Sequence, residues 1–180
     1  MTGRYKFEDT EPESSLKLID FFTIIIDRYD MDIQTNVKEY IIDELQTNGL
    51  GVLATEGDGQ PHACFIAVTP MDDFASLIFV TYRNTLKFTN LKNNNKVAIL
   101  FENRSTKSHN QPDIIVLTAF GIAEELDTSI HKTALNNHLL KHPDLDSFIL
   151  STDIALFKVK VNAYQLVRGI DDINWWKINP

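Results

Sequence analysis

The 180-residue chain contains a single cysteine, Cys64, so it cannot form an internal disulfide. The lack of further cysteines also excludes metal sites built on several thiolates, and it fits a cytoplasmic location. Basic residues are few as well, since 17 lysines and arginines stand against 25 acidic residues and the net charge is −8. This balance argues against nucleic acid and anionic membranes as partners, because both attract basic surfaces.

The sequence has no apolar run long enough to cross a bilayer. Its most apolar stretch, Leu18–Ile26, is short and has Asp20 and Asp27 close by, which predicts a packed helix within Ser15–Tyr29. The Ile-rich centre of this segment leaves a strand as the alternative. Met1–Ser15 is charged and polar, so no signal peptide is expected there.

The hydrophobic pattern predicts one domain, mainly of strands with flanking helices. Apolar spacing indicates helices at Asn36–Gln46, Asn84–Asn93 and Asp127–Lys141, with a further turn at Asp144–Leu150. Six short apolar segments, several of them joined by turn signals, predict an antiparallel sheet closed or nearly closed into a barrel. The predicted strands are Leu50–Thr55, Pro61–Thr69, Leu77–Tyr82, Lys96–Glu102, Asp113–Glu125 and a last one centred on Phe157–Val161.

These elements divide the chain into three parts. Residues 1–33 form an extension with the predicted helix, residues 34–168 form the barrel domain, and residues 169–180 form a tail. Trp175 and Trp176 lie in the tail, where an aromatic ring either covers a planar ligand or fastens the tail to the barrel.

The segment Leu77–Leu91 carries the clearest chemical signal. Its apolar start predicts a strand, Phe88 and Leu91 predict one face of a helix, and a polar cluster lies between them. Hydroxyls, an amide and two cations would then lie at a helix N-terminus, where free N–H groups and the helix dipole favour an anion. The residues alone leave an alternative, an N-cap threonine and a solvated lysine on a surface helix. The cluster comprises Thr81, Arg83, Asn84, Thr85 and Lys87.

Several short motifs occur in an order that resembles the FMN-binding split-barrel proteins related to pyridoxamine 5′-phosphate oxidase. They cover about Val37–Phe101 and comprise Leu53-Ala54-Thr55, Pro61, Thr81, Thr85-x-Lys87-x-x-Asn90-Leu91 and Asn95-Lys96-Val97. The resemblance implies a homodimer that holds FMN at the subunit interface. It also implies that the flavin ring lies along the second strand, at His62–Val68, and that the phosphate meets the turn at Thr81–Lys87.

The resemblance makes Thr85 and Lys87 the best candidates for the phosphate, with Arg83 and Asn84 added by proximity. Asn103 and Arg104 follow a strand, and either reach the flavin edge or belong to a polar loop. No catalytic residue and no metal site are predicted. The candidate cofactor-binding residues are Phe65, Ile66, Ala67, Val68, Thr81, Tyr82, Arg83, Asn84, Thr85, Lys87, Asn103, Arg104 and Trp175.

The chain also departs from the family pattern. Its second strand, PHACFIAV, has no arginine, and its end, DDINWWKINP, lacks the Arg-His-Asp-Arg element of the true oxidase. We therefore expect a small flavin-dependent oxidoreductase that does not act on a vitamin B6 phosphate. A non-catalytic flavin- or haem-binding protein and a deazaflavin-dependent reductase are the alternatives. His138 and His142 share a helical face that suits a metal or haem, but two solvent-facing histidines are the expected arrangement.

Overall fold

The structure, a computed structural model, describes residues 36–71, 73–105, 113–169 and 172–178. The chain divides into two units, Met1–Asn36 and Val37–Pro180. The helix predicted at Ser15–Tyr29 lies outside the described residues. None of the described helices is long and apolar enough to cross a membrane.

Residues 37–178 contain an eight-stranded antiparallel sheet that curls into a half-barrel, with helices beside it. The strand order is β2-β1-β5-β6-β7-β4-β3, and β8 pairs with β7. The strands are β1 (Leu50–Gly57), β2 (Gln60–Ala67), β3 (Thr69–Pro70), β4 (Ser76–Tyr82), β5 (Lys96–Ser105), β6 (Asp113–Leu126), β7 (Ile154–Arg168) and β8 (Asp172–Lys177). The helices are α1 (residues 36–47), α2 (Leu86–Asn93), α3 (Lys132–Lys141) and α4 (Asp146–Ile149), and the turn Pro143–Leu145 is a 3-10 helix.

Alternation along the strands produces the core, because every second side chain points to the same side of the sheet. In β7, Phe157, Val159 and Val161 are buried, and Lys160 and Asn162 between and beside them are exposed, as the pattern predicts. The Phe157 ring stacks on Phe79 of β4 with the ring centroids 5.3 Å apart. β4 is buried along nearly its whole length because the sheet covers one face and α3 and α4 approach the other.

The predicted fold class is confirmed, and the element count needs correction. All six predicted strands are present, but Pro61–Thr69 breaks at Val68 into β2 and β3, and the predicted tail contains β8. The helix predicted from Asp127 begins at Lys132 instead. Asp127 forms a turn, because its carboxylate accepts hydrogen bonds from the Ser129 N–H and hydroxyl at 2.8 and 2.6 Å.

Candidate functional site

A cleft of about 360 Å³ lies where β2, the end of β4, the start of α2 and the 3-10–α4 corner meet. Its volume is within the range of small-molecule sites. Its walls are apolar and aromatic apart from two threonines, one tyrosine hydroxyl and one lysine. The lining residues are Leu50, Phe65, Ile66, Ala67, Val80, Thr81, Tyr82, Thr85, Lys87, Leu145 and Phe148.

Thr85 is the N-cap of α2. Its Oγ1 accepts a hydrogen bond from the Phe88 N–H at 3.4 Å and donates to the Tyr82 carbonyl at 2.8 Å. The Thr81 hydroxyl lies 3.1 Å from Thr85 Oγ1. The cap satisfies one N–H of the first turn, and the N–H groups of Leu86 and Lys87 have no partner within the helix. This end of the cleft therefore presents free donors at the positive end of the helix dipole.

Lys87 lies in the first turn of α2, which contains no acidic residue. A cation at this end of a helix costs about 0.3–1 kcal/mol, because it meets the positive end of the dipole. Among the ion pairs of the described residues none involves Lys87. Lys87 lines the cleft together with residues of β2, where burial raises the pKa of the Cys64 thiol and the charge of Lys87 opposes that rise. A bound anion would relieve this uncompensated charge.

The wall opposite β2 comes from the corner after α3. Phe148 of α4 contacts the Tyr82 ring edge to face, with centroids 4.6 Å apart, and Leu145 lies beside them. The sequence reasoning missed both residues, and also Leu50 and Val80. Leu50 could have been predicted from the sequence. The Gly57-Asp58-Gly59 turn predicts a β1–β2 hairpin, and the observed register of this hairpin pairs Leu50 with the predicted site residue Ala67.

The cleft brings together seven of the thirteen predicted residues: Phe65, Ile66, Ala67, Thr81, Tyr82, Thr85 and Lys87. Val68 lies in the core and Asn84 is exposed in the turn. Arg83 points away from the cleft, because its guanidinium pairs with Glu125 at 2.6 Å and lies over the Phe88 ring. Trp175 stacks on Phe120, outside the cleft of its own chain. The side chains of Asn103 and Arg104 lie outside the described part of the chain.

Two residues of the family motif hold α2 in place and do not line the cleft. The Asn90 side-chain amide donates to the Thr55 hydroxyl at 3.1 Å, and both side chains are buried. Gly57 makes room for this contact, since a Cβ there would collide with Oδ1 of the Asn90 side chain. The link joins α2 to β1, and so it fixes where Thr85 and Lys87 lie.

The expectation of two solvent-facing histidines is wrong, because His138 of α3 is buried and His142, directly after α3, is half-buried. His138 is fully buried, and its Nδ1 lies 2.9 Å from the Thr69 hydroxyl. His142 Nε2 donates to the Val68 carbonyl at 3.0 Å, and the two rings lie 4.8 Å apart. The helical spacing was correct, but this face of α3 packs on β3 and β4. Within the described residues no group of three metal-ligating side chains occurs.

We expect His138 to make the fold sensitive to acid. Burial, with the nearby charges of His142 and Lys141, lowers the pKa of His138 from 6.5 to about 4. The folded state therefore favours the neutral ring, and the unfolded state takes up a proton first as pH falls. The contribution of the neutral His138 ring to the free energy of unfolding is complete above pH 6.5. About 3 kcal/mol of it is lost as pH falls from 6.5 to about 4.

Urea unfolding at pH 7 and pH 4.5 measures this loss. His138→Gln, which keeps a polar partner for Thr69, is expected to lose clearly less stability over the same pH step than the original chain. An equal loss in both proteins would assign the acid sensitivity to other groups.

The comparisons with known proteins agree with this fold. A family model described as pyridoxamine 5′-phosphate oxidase matches residues 37–167. The half-barrel thus defines a split-barrel protein of the pyridoxamine 5′-phosphate oxidase type. The chain belongs to the pyridoxamine 5′-phosphate oxidase family. No curated protein sequence matches the chain.

Solved structures with the same fold include proteins with different described ligands. A heme binding protein from Mycobacterium smegmatis has 18% identity and a TM-score of 0.65, and the match covers 74% of this chain and 55% of that protein. General Stress Protein 26 from Bacillus anthracis has 20% identity and a TM-score of 0.61, with 79% and 98% covered. A FAD-binding protein from Mesorhizobium loti has 19% identity and a TM-score of 0.57, with 72% and 92% covered. At these identities the likeness shows the fold alone.

Proposed function

We propose that the chain binds FMN in the cleft, with the phosphate at the start of α2 and the flavin ring along β2. The observation that carries this proposal is the arrangement of Lys87, an ammonium without an acidic partner among the described residues, beside the free N–H groups of a capped helix. An ammonium and backbone N–H groups form charge-assisted hydrogen bonds to a phosphate. The FAD-binding neighbour supports a flavin in this fold.

The charge of the cleft favours FMN over FAD. Lys87 is the one charged residue among the described lining residues. Arg83, the nearest predicted alternative, is paired with Glu125 outside the cleft. One ammonium suits a single phosphomonoester, whereas FAD brings a diphosphate and an adenosine that need further partners. The apolar wall of Phe65, Ile66 and Ala67 suits a planar ring system.

We propose further that the protein is a small oxidoreductase. When bound, FMN supplies hydride and electron transfer. The chain would bind the phosphate through Lys87, orient the ring along β2, and exclude water with Leu145 and Phe148. The described lining offers no arginine for a second phosphate, which supports a substrate other than a vitamin B6 phosphate.

A second copy of the chain is part of the proposal, because the sheet has a broad apolar outer face. Two neighbouring cross-strand rows of side chains form what we call the outer sheet face. The first row is Phe65, Val52, Leu100, Thr118, Gln165 and Trp175, and the second is Ala63, Ala54, Ala98, Phe120 and Ala163. Phe65 is 78% exposed, Trp175 44% and Leu100 38%. Apart from Thr118 and Gln165 the residues of this face are apolar, and exposed apolar surface of this kind marks an interaction site.

The outer sheet face also explains how Trp175 could reach the flavin. Phe65 and Trp175 lie at opposite ends of one row. A two-fold axis parallel to the strands would reverse the row in the second chain, so Trp175 of one chain would approach the cleft of the other. This arrangement supports the predicted homodimer with the cofactor at the subunit interface.

Anaerobic titration of the FMN-loaded protein with NADH or NADPH tests the oxidoreductase proposal. We expect the visible flavin band to bleach and to return when an electron acceptor is added. Stable FMN binding with no reduction by either donor would instead indicate a flavin-binding protein without turnover. Competition between FMN and a deazaflavin for the same protein tests the deazaflavin alternative.

Haem is the second candidate ligand, because the neighbours include haem-binding proteins. In the described lining, Tyr82 is the residue that suits an axial ligand, since His138 and His142 are engaged in the fold. A Soret band after haem addition that disappears in Tyr82→Phe would support this function. No Soret band in the original chain would exclude it.

A further inference from the structure

His142 connects the two walls of the cleft. It follows α3 directly and precedes the 3-10 turn, and its Nε2 donates to the Val68 carbonyl at 3.0 Å. Val68 follows Ala67, which lines the β2 wall, and Leu145 and Phe148 of the opposite wall come just after His142. One side chain therefore bonds the chain segment of one wall to the backbone of the other.

The ring of His142 is held in place from two sides. His138 lies against it with the centroids 4.8 Å apart, and is itself bonded to Thr69, one residue beyond Val68. Gly49 also lies close to the ring, since a Cβ there would come within 2.9 Å of the His142 Cε1. A ring packed in this way has few alternative rotamers, so its hydrogen bond fixes the distance between the walls.

We infer that His142 is a positioning residue that sets the width of the cofactor cleft through its bond to Val68. The inference rests on the proposed binding of FMN in that cleft. Loss of the bond would let the 3-10–α4 corner move away from β2, and it would leave the Val68 carbonyl without this donor.

The charges around His142 give the role a pH dependence. Lys141 and the His138 ring are the titratable groups that face it, and the Lys141 ammonium donates to the carbonyls of Leu45 and Asn48 at the end of α1. Burial lowers the pKa of His142, the hydrogen bond to the Val68 carbonyl opposes this because a charged ring also donates there, and Lys141 lowers the pKa further. The neutral ring therefore stabilises the corner at pH 7, and this contribution is lost as pH falls from 6.5 through the lowered pKa.

Three variants test the inference. His142→Gln keeps an N–H donor, His142→Leu removes it, and Lys141→Met removes a neighbouring interaction that holds α1 and not the cleft. We expect His142→Leu to raise the FMN dissociation constant at pH 7.5 about tenfold, His142→Gln to stay within about threefold, and Lys141→Met to lower the melting temperature without changing the dissociation constant. Unchanged affinity in His142→Leu would overturn the inference.

The pH profile keeps the test valid if His142→Leu does not fold. As pH falls from 7.5 to the onset of acid unfolding, we expect the original chain to lose more FMN affinity than His142→Gln, because burial disfavours the charged ring in the packed corner and Gln does not titrate. The phosphate of FMN titrates equally in both proteins, so the comparison isolates the ring. Profiles that stay parallel down to the onset of acid unfolding would contradict a positioning role for His142.

Amide hydrogen exchange without ligand separates this inference from the proposed function. The amide exchange rates of residues 66–68 and 145–148 are compared with those of the core of β6 in the same protein. Relative to β6, both segments should exchange faster in His142→Leu but not in Lys141→Met. If this pattern appears and the original chain binds no FMN, the proposed function fails and the positioning role stands. If exchange at both walls is unchanged in His142→Leu, the positioning role fails whatever the chain binds.

Discussion

Lys87→Met is expected to raise the dissociation constant for FMN at least about tenfold and to leave that for riboflavin within about twofold. The ammonium is the one charge among the described lining residues, and no acidic partner in the described chain competes for it. A charge-assisted bond to phosphate is worth more than 1.4 kcal/mol, the free energy of a tenfold change. Riboflavin has no phosphate, so it should not respond. Fluorescence titration with both ligands measures the two constants.

Lys92→Met is the matched control, since it removes the same charge from the last turn of the same helix. Lys92 pairs with Glu125 at 3.3 Å, outside the cleft. We expect its FMN affinity to equal that of the original chain. An equal loss in both variants would show that general charge, and not a phosphate contact, governs binding. An equal loss of FMN and riboflavin in Lys87→Met would place the phosphate elsewhere.

Leu100→Glu is expected to dissociate the proposed homodimer and to raise its dissociation constant about a hundredfold or more. Leu100 is paired with Val52 and Thr118 near the middle of the outer sheet face, where its side chain is 38% exposed in one chain. Burying a carboxylate without a partner at the centre of an interface costs several kcal/mol. Because the cofactor is proposed to lie at the interface, FMN affinity should fall as well. Sedimentation over a range of concentrations measures the change.

The control for this change is Leu140→Glu. Leu140 is 80% exposed on α3 and does not belong to the outer sheet face. We expect this variant to keep the oligomeric state and the FMN affinity of the original chain. If Leu100→Glu remains as dimeric as Leu140→Glu, the outer sheet face is not the interface.

β7 could be predicted because burial on one side imposes a period of two on its sequence, and the other predicted strands stand out as short apolar segments, several of them next to turn signals. β8 was missed because its sequence, DINWWK, shows no such pattern. Its adjacent tryptophans face opposite sides, with Trp175 on Phe120 and Trp176 stacked on Tyr164 at 5.5 Å, so the alternation is hidden. The two tryptophans indicate a strand only once their packing partners, Phe120 and Tyr164, are known.

The anion end of the cleft could be predicted because it is local in sequence. A strand end, a cap and the first turn of a helix lie within a few residues, from Thr81 to Lys87. The opposite wall is not local, since Leu145 and Phe148 reach the site only through packing of the α3–α4 segment on β4. Arg83 illustrates the same limit, because its partner Glu125 lies on β6, beside the turn only in the folded sheet.

Native mass spectrometry of the original chain after incubation with FMN tests the central claim most directly. We expect a species of two chains with two FMN molecules, and we expect Lys87→Met to form the same dimer with fewer bound flavins at equal ligand concentration. A homodimer or monomer that takes up no FMN, while the fold is intact by circular dichroism, would contradict the account.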